Sequence, residues 1–187
     1  MLKEILQGIV EDDKRTASIL SSIRGMMKLE RREKEKTDIN ALIIEISDIF
    51  RTGTANYDIE LIVRLPDRPV YIFADGIQMQ QVIMNLLSNA THSVLASETG
   101  EKKIVMSGLP ENGNITLSVR DYGRGIDPEI IGRLFKPFVT SKNDGMGIGL
   151  AISKAIIEDH QGTIRAENMP DGGAQFSFSL KIYDHDA

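Results

Sequence analysis

The 187-residue chain contains no cysteine, so disulfides, thiolate zinc sites and cysteine nucleophiles are excluded. It has no apolar run approaching the ~18 residues that a membrane-spanning helix needs. Its first residues lack the basic stretch, apolar core and small-residue cleavage site of a signal peptide. Basic residues are not in excess either: 22 Lys and Arg stand against 27 Asp and Glu, a net charge of −5. That balance argues against a nucleic-acid binder, which would show a basic face. What is present is a hydrophobic content of 41%, enough for a core and too much for a disordered chain. These features predict a cytoplasmic-type chain of one domain with room for an appendage.

The charge is uneven. Residues 1–37 carry nine basic and seven acidic groups, and the remainder 13 and 20. The first segment lacks proline, and its apolar positions Leu2, Ile5, Ile9, Ile19, Ile23 and Met26 step by three and four, as a helix–helix seam requires. Asp12 and Thr16 interrupt the seam. The segment ends in Glu30-Arg31-Arg32-Glu33-Lys34-Glu35-Lys36, a solvated charged stretch leading into a hinge. An ordinary amphipathic helix packed on its own domain accounts for the same spacing.

From Thr37 the pattern changes. Asp38 is placed to cap a helix carrying Leu42, Ile43, Ile46 and Ile49, and Asp75 one carrying Ile77, Val82, Ile83, Leu86, Leu87, Ala90 and Val94. Strands are expected at 59–63, 70–73, 103–106, 115–119, 163–166 and 176–180. Glu111-Asn112-Gly113-Asn114 is a hairpin signal, and Asp171-Gly172-Gly173 turns between the last two strands. A helix through Ile152, Ala155, Ile156 and Ile157 follows a glycine-rich stretch over roughly 121–149. The order predicts a two-layer α/β sandwich with a mixed sheet.

Two glycine groups carry chemistry. Asp121-Tyr122-Gly123-Arg124-Gly125-Ile126 follows a strand, and Gly145-Met146-Gly147-Ile148-Gly149-Leu150 runs into a helix. Alternate glycines let the backbone approach a ligand, and a helix start offers free N–H groups to a phosphate. Neither group fits a Walker loop or a Rossmann fingerprint. Asn85, Asn89 and His92, at i, i+4 and i+7, share one helical face. Asn oxygens suit a hydrated Mg²⁺ bound to phosphates; a polar face bonded to local backbone is the plainer reading.

Taken together, these residues resemble the ATP-binding domain of bacterial sensor histidine kinases, in the GHKL (HATPase) superfamily shared with DNA gyrase, Hsp90 and MutL. Asn85-Leu86-Leu87-Ser88-Asn89-Ala90 is similar to its N box, Asp121 to Ile126 to its G1 box, Leu134-Phe135-Lys136-Pro137-Phe138 with Thr140-Ser141-Lys142 to its F box, and Gly145 to Leu150 to its G2 box. The short lid between Phe138 and Gly145 is most similar to oxygen-sensing and nitrogen-regulatory sensor kinases. The resemblance implies the Bergerat fold, with helices on one face of the sheet and an extended N-terminal helix.

The same resemblance implies roles. Asp121 would accept a hydrogen bond from the adenine amine, with Gly123, Gly125 and Ile126 beneath the base. Asn89 would hold Mg²⁺ with Asn85 beside it, while His92 and lid Lys142 would contact phosphates. Gly145, Gly147, Gly149 and Leu150 would line the phosphate side. Phe135 and Phe138 take ordinary core roles. The final strand reads Ala174-Gln175-Phe176, where relatives often carry Thr near the adenine in place of Gln175. His160 is structural, and His185 lies in the tail.

Residues 1–37 then resemble the second helix of the dimerisation and phosphotransfer hairpin with its hinge, 38–182 the ATP-binding domain and 183–187 a tail. The first hairpin helix, with its phosphoaccepting His, is not found; it and an input region are expected upstream of Met1. The chain is thus expected to bind Mg-ATP and to transfer the γ-phosphate to a His on that helix, for relay to a response regulator receiver domain. The full-length parent would be a homodimer, joined to any membrane only through upstream segments. A nucleotide-binding regulator without phosphotransfer, a weak GHKL ATPase and a serine-directed GHKL kinase are the alternatives.

Overall fold

A computed structural model of the chain describes residues 33–97, 101–140 and 146–183. The N-terminal seam, Lys142, Gly145 and His185 lie outside the described residues. Strand β1 (Glu35–Asp38) leads into helix α1 (Ile39–Thr54), a single 3-10 turn and strands β2 (Glu60–Arg64) and β3 (Tyr71–Ala74). Helix α2 (Gly76–Leu95), hairpin β4 (Lys103–Glu111) and β5 (Asn114–Asp121), short helix α3 (Pro128–Ile131), helix α4 (Gly149–Asp159), β6 (Thr163–Asn168) and β7 (Ala174–Lys181) follow.

The main sheet has the order β2-β4-β5-β7-β6, parallel only between β2 and β4. The expected mixed sheet and two layers are therefore present. Along β7 the buried Phe176, Phe178 and Leu180 alternate with Gln175, Ser177 and Ser179, so one face of the sheet is apolar. Onto it pack Ile39, Ile43 and Ile46 of α1, Met79, Ile83, Leu86 and Leu87 of α2, and Ile156 and Ile157 of α4, all almost fully buried. The opposite face bears Ser107, Ser118 and Ser177 in one paired row and carries no helix among the described residues. No helix among them is long and apolar enough to cross a membrane.

Local chemistry sets the element ends. Asp38 accepts from the N–H groups of Asn40 (3.0 Å) and Ala41 (3.4 Å), and Asp75 from Ile77 (2.9 Å) and Gln78 (3.2 Å), the two caps expected from the sequence. The β4–β5 hairpin closes through Asn112 (φ 51°) and Gly113 (φ 74°), the positive-φ pair that matches strand twist. Asn40 donates to the carbonyls of Pro66 (3.1 Å) and Arg68 (2.9 Å), fixing the loop between β2 and β3.

Three sequence readings change. Glu35 and Lys36, read as the end of a solvated stretch, open β1, which pairs antiparallel with β3 from Glu35 opposite Ala74. The paired structure thus crosses the 37/38 boundary, because backbone pairing is indifferent to the charge of exposed side chains. Tyr183, assigned to the tail, donates its N–H to Tyr71 O at 2.7 Å and stacks near Phe73, with ring centroids 6.0 Å apart. Phe138 is not a core residue: it is 76% exposed with φ 65°, whereas Phe135 packs against the core as expected.

His160 joins three elements. Its Nε2 accepts the N–H of Asp75 at 3.1 Å, so the ring proton sits on Nδ1, which faces Ile156 O at 2.8 Å. Burial first, and Lys34 next to it, hold its pKa below the ordinary histidine value, against the Ile156 carbonyl, Asp159 and Asp75. Lys34 itself pairs with Asp159 Oδ2 at 2.8 Å. With a folded pKa below the unfolded value of about 6.5, the native state binds fewer protons than the unfolded chain between the two. Stability from neutral His160 is complete above about pH 6.5 and lost as pH falls through the folded value. Thermal unfolding should therefore show Tm dropping between pH ~7.5 and ~5.5, and His160→Gln should flatten that slope. Equal slopes in both proteins would remove His160 as the cause.

Candidate functional site

The C-terminal half of α2 turns its polar arc toward the end of β5 and the start of α4. Asn85 and Asn89 lie near the middle of that arc, with His92 at its exposed rim and Ser93 on the opposite flank. Asn85 Nδ2 donates to Gly149 O (3.2 Å) and Ser153 Oγ (3.3 Å), tying α2 to the first turn of α4. His92 is exposed, and its Nδ1 lies 2.6 Å from Ser88 O, within its own helix. Asn89 is half-buried between these two residues.

Asp121 ends β5 and is 1% exposed. Its Oδ1 accepts from Ser93 Oγ at 2.7 Å, Gly123 N at 3.0 Å and Ala174 N at 3.4 Å. No described residue donates to Oδ2. Burial raises the carboxyl pKa, while the Ser93 hydroxyl, the two backbone N–H groups and the Arg120 charge oppose the rise. Arg120 works from the open face: its Nη2 holds Asp171 Oδ1 at 2.7 Å and Gly172 O at 3.0 Å, fixing the turn that delivers Ala174.

That turn also corrects the reading of the final strand. Gln175 pairs with Arg120, so it shares the face opposite the site. The β7 residue beside Asp121 is Ala174, because neighbouring residues in a strand point to opposite faces.

Close packing explains the glycines. A Cβ on Gly123 would lie 2.4 Å from the Ser93 carbonyl, and one on Gly173 (φ 72°) 2.0 Å from Asp121 O. Ile126 is held by Asn168, whose amide accepts from Ile126 N and donates to Ile126 O, each at 2.7 Å, and a Cβ on Gly125 (φ 77°) would lie 2.9 Å from the same Asn168 Oδ1. Gly147 lies where the F-box loop crosses, its carbonyl accepting from Phe138 N at 3.0 Å. Helix α4 begins at Gly149 with Ile148 as cap residue and no side-chain cap bond. Its first N–H groups and positive dipole end therefore suit an anion. Leu150 packs against the core.

The structure thus brings Asn85 against the start of α4 at Gly149, and Ser93 of the same helix against Asp121 and Gly123, with Asn89 and His92 on the helix between those contacts; Gly125 and Ile126 lie against Asn168, Gly147 against the F-box loop and Leu150 against the core. Sequence reading missed Ser93, which stands at i+4 from Asn89 and could have been found by extending the polar arc one turn. It also missed Asn168, whose partner is 42 residues away. Among the described residues no group of three or more His, Asp or Glu could cage a metal. The neutral amide oxygens of the arc are of a kind that suits a cation keeping most of its waters, as Mg²⁺ does.

Comparison with known proteins identifies the family and the fold. The profile of the family described as "Histidine kinase-, DNA gyrase B-, and HSP90-like ATPase" matches residues 74–184. The chain is 33% identical to sensor histidine kinase TmoS of Ectopseudomonas mendocina over 96% of its length, and 32% identical to sensor protein FixL of Bradyrhizobium diazoefficiens over 98%. It spans only 19% and 36% of those relatives. The nucleotide-free catalytic domain of histidine kinase ThkA superposes with a TM-score of 0.71 at 30% identity, covering 80% of this chain and 96% of that one. ThkA in complex with response regulator protein TrrA gives a TM-score of 0.77 at 26% identity, over 100% of this chain and 53% of that one.

Gly123→Ala should lower the free energy of unfolding in urea by ~1–3 kcal/mol, since the methyl group meets helix backbone that cannot yield cheaply. Gly132→Ala, which has open space around it, is the control and should leave stability nearly unchanged. Equal effects of the two would contradict the close approach of Gly123 to α2.

Proposed function

The chain belongs to the family of histidine kinase-, DNA gyrase B- and HSP90-like ATPases, and from that premise we propose that it is the ATP-binding catalytic part of a sensor histidine kinase. The observation that carries the reading is Asp121: a buried carboxylate, saturated on one oxygen and left without a described donor on the other, at the strand end beside the Asn85–Asn89 arc. An adenine amine supplies a matching donor, and a charge-assisted bond in a dry site is strong.

The residues then divide the work. Asp121 orients the base, while Gly123 and the Asn168–Ile126 clamp shape the backbone around it. The free N–H groups at the start of α4 receive phosphate charge. Bound Mg²⁺ would neutralise the phosphate oxygens during transfer, with Asn89 as its protein ligand. Lys142 and Gly145 would complete the phosphate contacts from the lid, and His92 would reach them from the rim.

Hydrolysis is disfavoured because the position one helical turn before Asn89 holds no general base. Asn85 has no basic lone pair at neutral pH, and its amide is spent on Gly149 and Ser153. His160 cannot accept phosphate, because both ring nitrogens are engaged. The acceptor is instead a histidine on a separate helix, with a homodimeric parent and a response regulator receiver domain as partners. ThkA's complex with a response regulator supports that last assignment. The domain would work in the cytoplasm, on the inner side of any membrane-bound parent.

Two measurements test this. Calorimetric titration with Mg²⁺ and a non-hydrolysable ATP analogue should show Asp121→Asn binding roughly ten- to a hundredfold more weakly, for loss of a charge-assisted bond. Its Tm should not fall, because a raised folded pKa means that ionised Asp121 opposes folding at neutral pH. Unaltered affinity would remove Asp121 from the base site. Incubated with labelled ATP, the chain should gain no stable phosphate but should label a supplied first-helix fragment carrying its histidine. Binding without transfer would instead favour a nucleotide-sensing module, and phosphate on His92 would contradict the proposed acceptor.

A further inference from the structure

We propose that Ser93 is a positioning residue for base selection: its hydroxyl, with two backbone N–H groups, saturates Oδ1 of Asp121 so that Oδ2 is presented as an acceptor only, favouring a 6-amino over a 6-oxo purine. The inference rests on the nucleotide reading of the site. Of the three bonds to Oδ1, the one from Ser93 is the shortest, at 2.7 Å against 3.0 and 3.4 Å. It is also the one that comes from a side chain, so it can be removed without moving backbone.

The selectivity follows from protonation. An ionised carboxylate only accepts hydrogen bonds, whereas a protonated one also donates. A 6-amino group needs an acceptor and a 6-oxo group needs a donor. Burial pushes Asp121 toward its protonated form, and the Ser93 hydroxyl is the strongest of the groups that oppose this. The charged group acting on the carboxylate is Arg120, its neighbour on β5; α2 brings the Ser93 hydroxyl and β7 the Ala174 N–H. Without the hydroxyl, Asp121 protonates more readily and its free oxygen loses its aim. Discrimination between the two bases then weakens, most at low pH.

The test is a calorimetric titration of the imido-triphosphates of adenosine and inosine, with Mg²⁺, into the natural chain and Ser93→Ala at pH ~6 and ~8. Ser93→Ala should lose about tenfold in affinity for the adenosine compound, more at the lower pH, with inosine affinity unchanged or improved. Equal losses for both compounds would reveal a merely structural role and overturn the proposal, as would an unchanged ratio at both pH values. Independently, the carboxyl carbon shift of Asp121, titrated without nucleotide, should report a higher pKa in Ser93→Ala; an identical titration overturns it. Should the natural chain bind neither triphosphate, the nucleotide reading falls, and the Asp121 titration still decides whether Ser93 holds the carboxylate.

Discussion

An ionised carboxylate taken out of water is costly unless donors replace the lost solvent. At Asp121 those donors come from three separate places: Ser93 on α2, Gly123 in the loop after β5, and Ala174 at the start of β7. The requirement makes the three elements interdependent. Helix α2 must pass within hydrogen-bond reach of the strand end, which leaves no room for a side chain on Gly123. The turn before β7 must fold back onto Asp121, which leaves none on Gly173. Arg120 then secures that turn from the other face of the sheet through Asp171 and Gly172. The charge proposed to hold a base is thus the same charge that orders the backbone around it.

Helix α4 links this region to the entry of the chain. Its first turn is bound by Asn85, and its C-terminal end holds His160 against Asp75 and Asp159 against Lys34. Eleven residues at ~1.5 Å each give a rod of roughly 16 Å between its uncapped start and the strand through which residues 33–38 enter. Both ends are secured by polar bonds to α2 or its cap, so α2 and α4 form a framework over the apolar face of the sheet. The helix start suited to phosphate is left without a side-chain cap in a domain where three other helices begin at a capping aspartate. A stabilising cap at that position would occupy the N–H groups that a ligand needs.

Much of this was legible residue by residue. The aspartate caps at 38 and 75, the Asn112-Gly113 hairpin, the alternation along β7 and the polar arc of Asn85, Asn89 and His92 all depend on neighbours within a few positions. The four boxes made the resemblance to sensor histidine kinases specific, because several glycine and asparagine groups had to recur in order. Ser93 escaped notice for a different reason: a serine near a helix end is ordinary, and its meaning comes from Asp121, 28 residues away. Glu35 and Lys36 escaped because a strand at a sheet edge can carry any exposed side chain.

By itself, then, the sequence determined most of the elements, their order and most of the apolar positions they bury, Ile49 and Ile77 being exposed exceptions, since each of these follows from periodicity and local conformational preference. Only the tertiary structure decided that Ala174 and not Gln175 adjoins Asp121, that Ser93 completes its shell, that Phe138 stands in solvent and that the paired domain begins at Glu35. Those outcomes are set by register and by the approach of distant segments. A shift of one residue in strand pairing exchanges the two faces of a sheet, and local sequence pattern alone does not specify which pairing will hold.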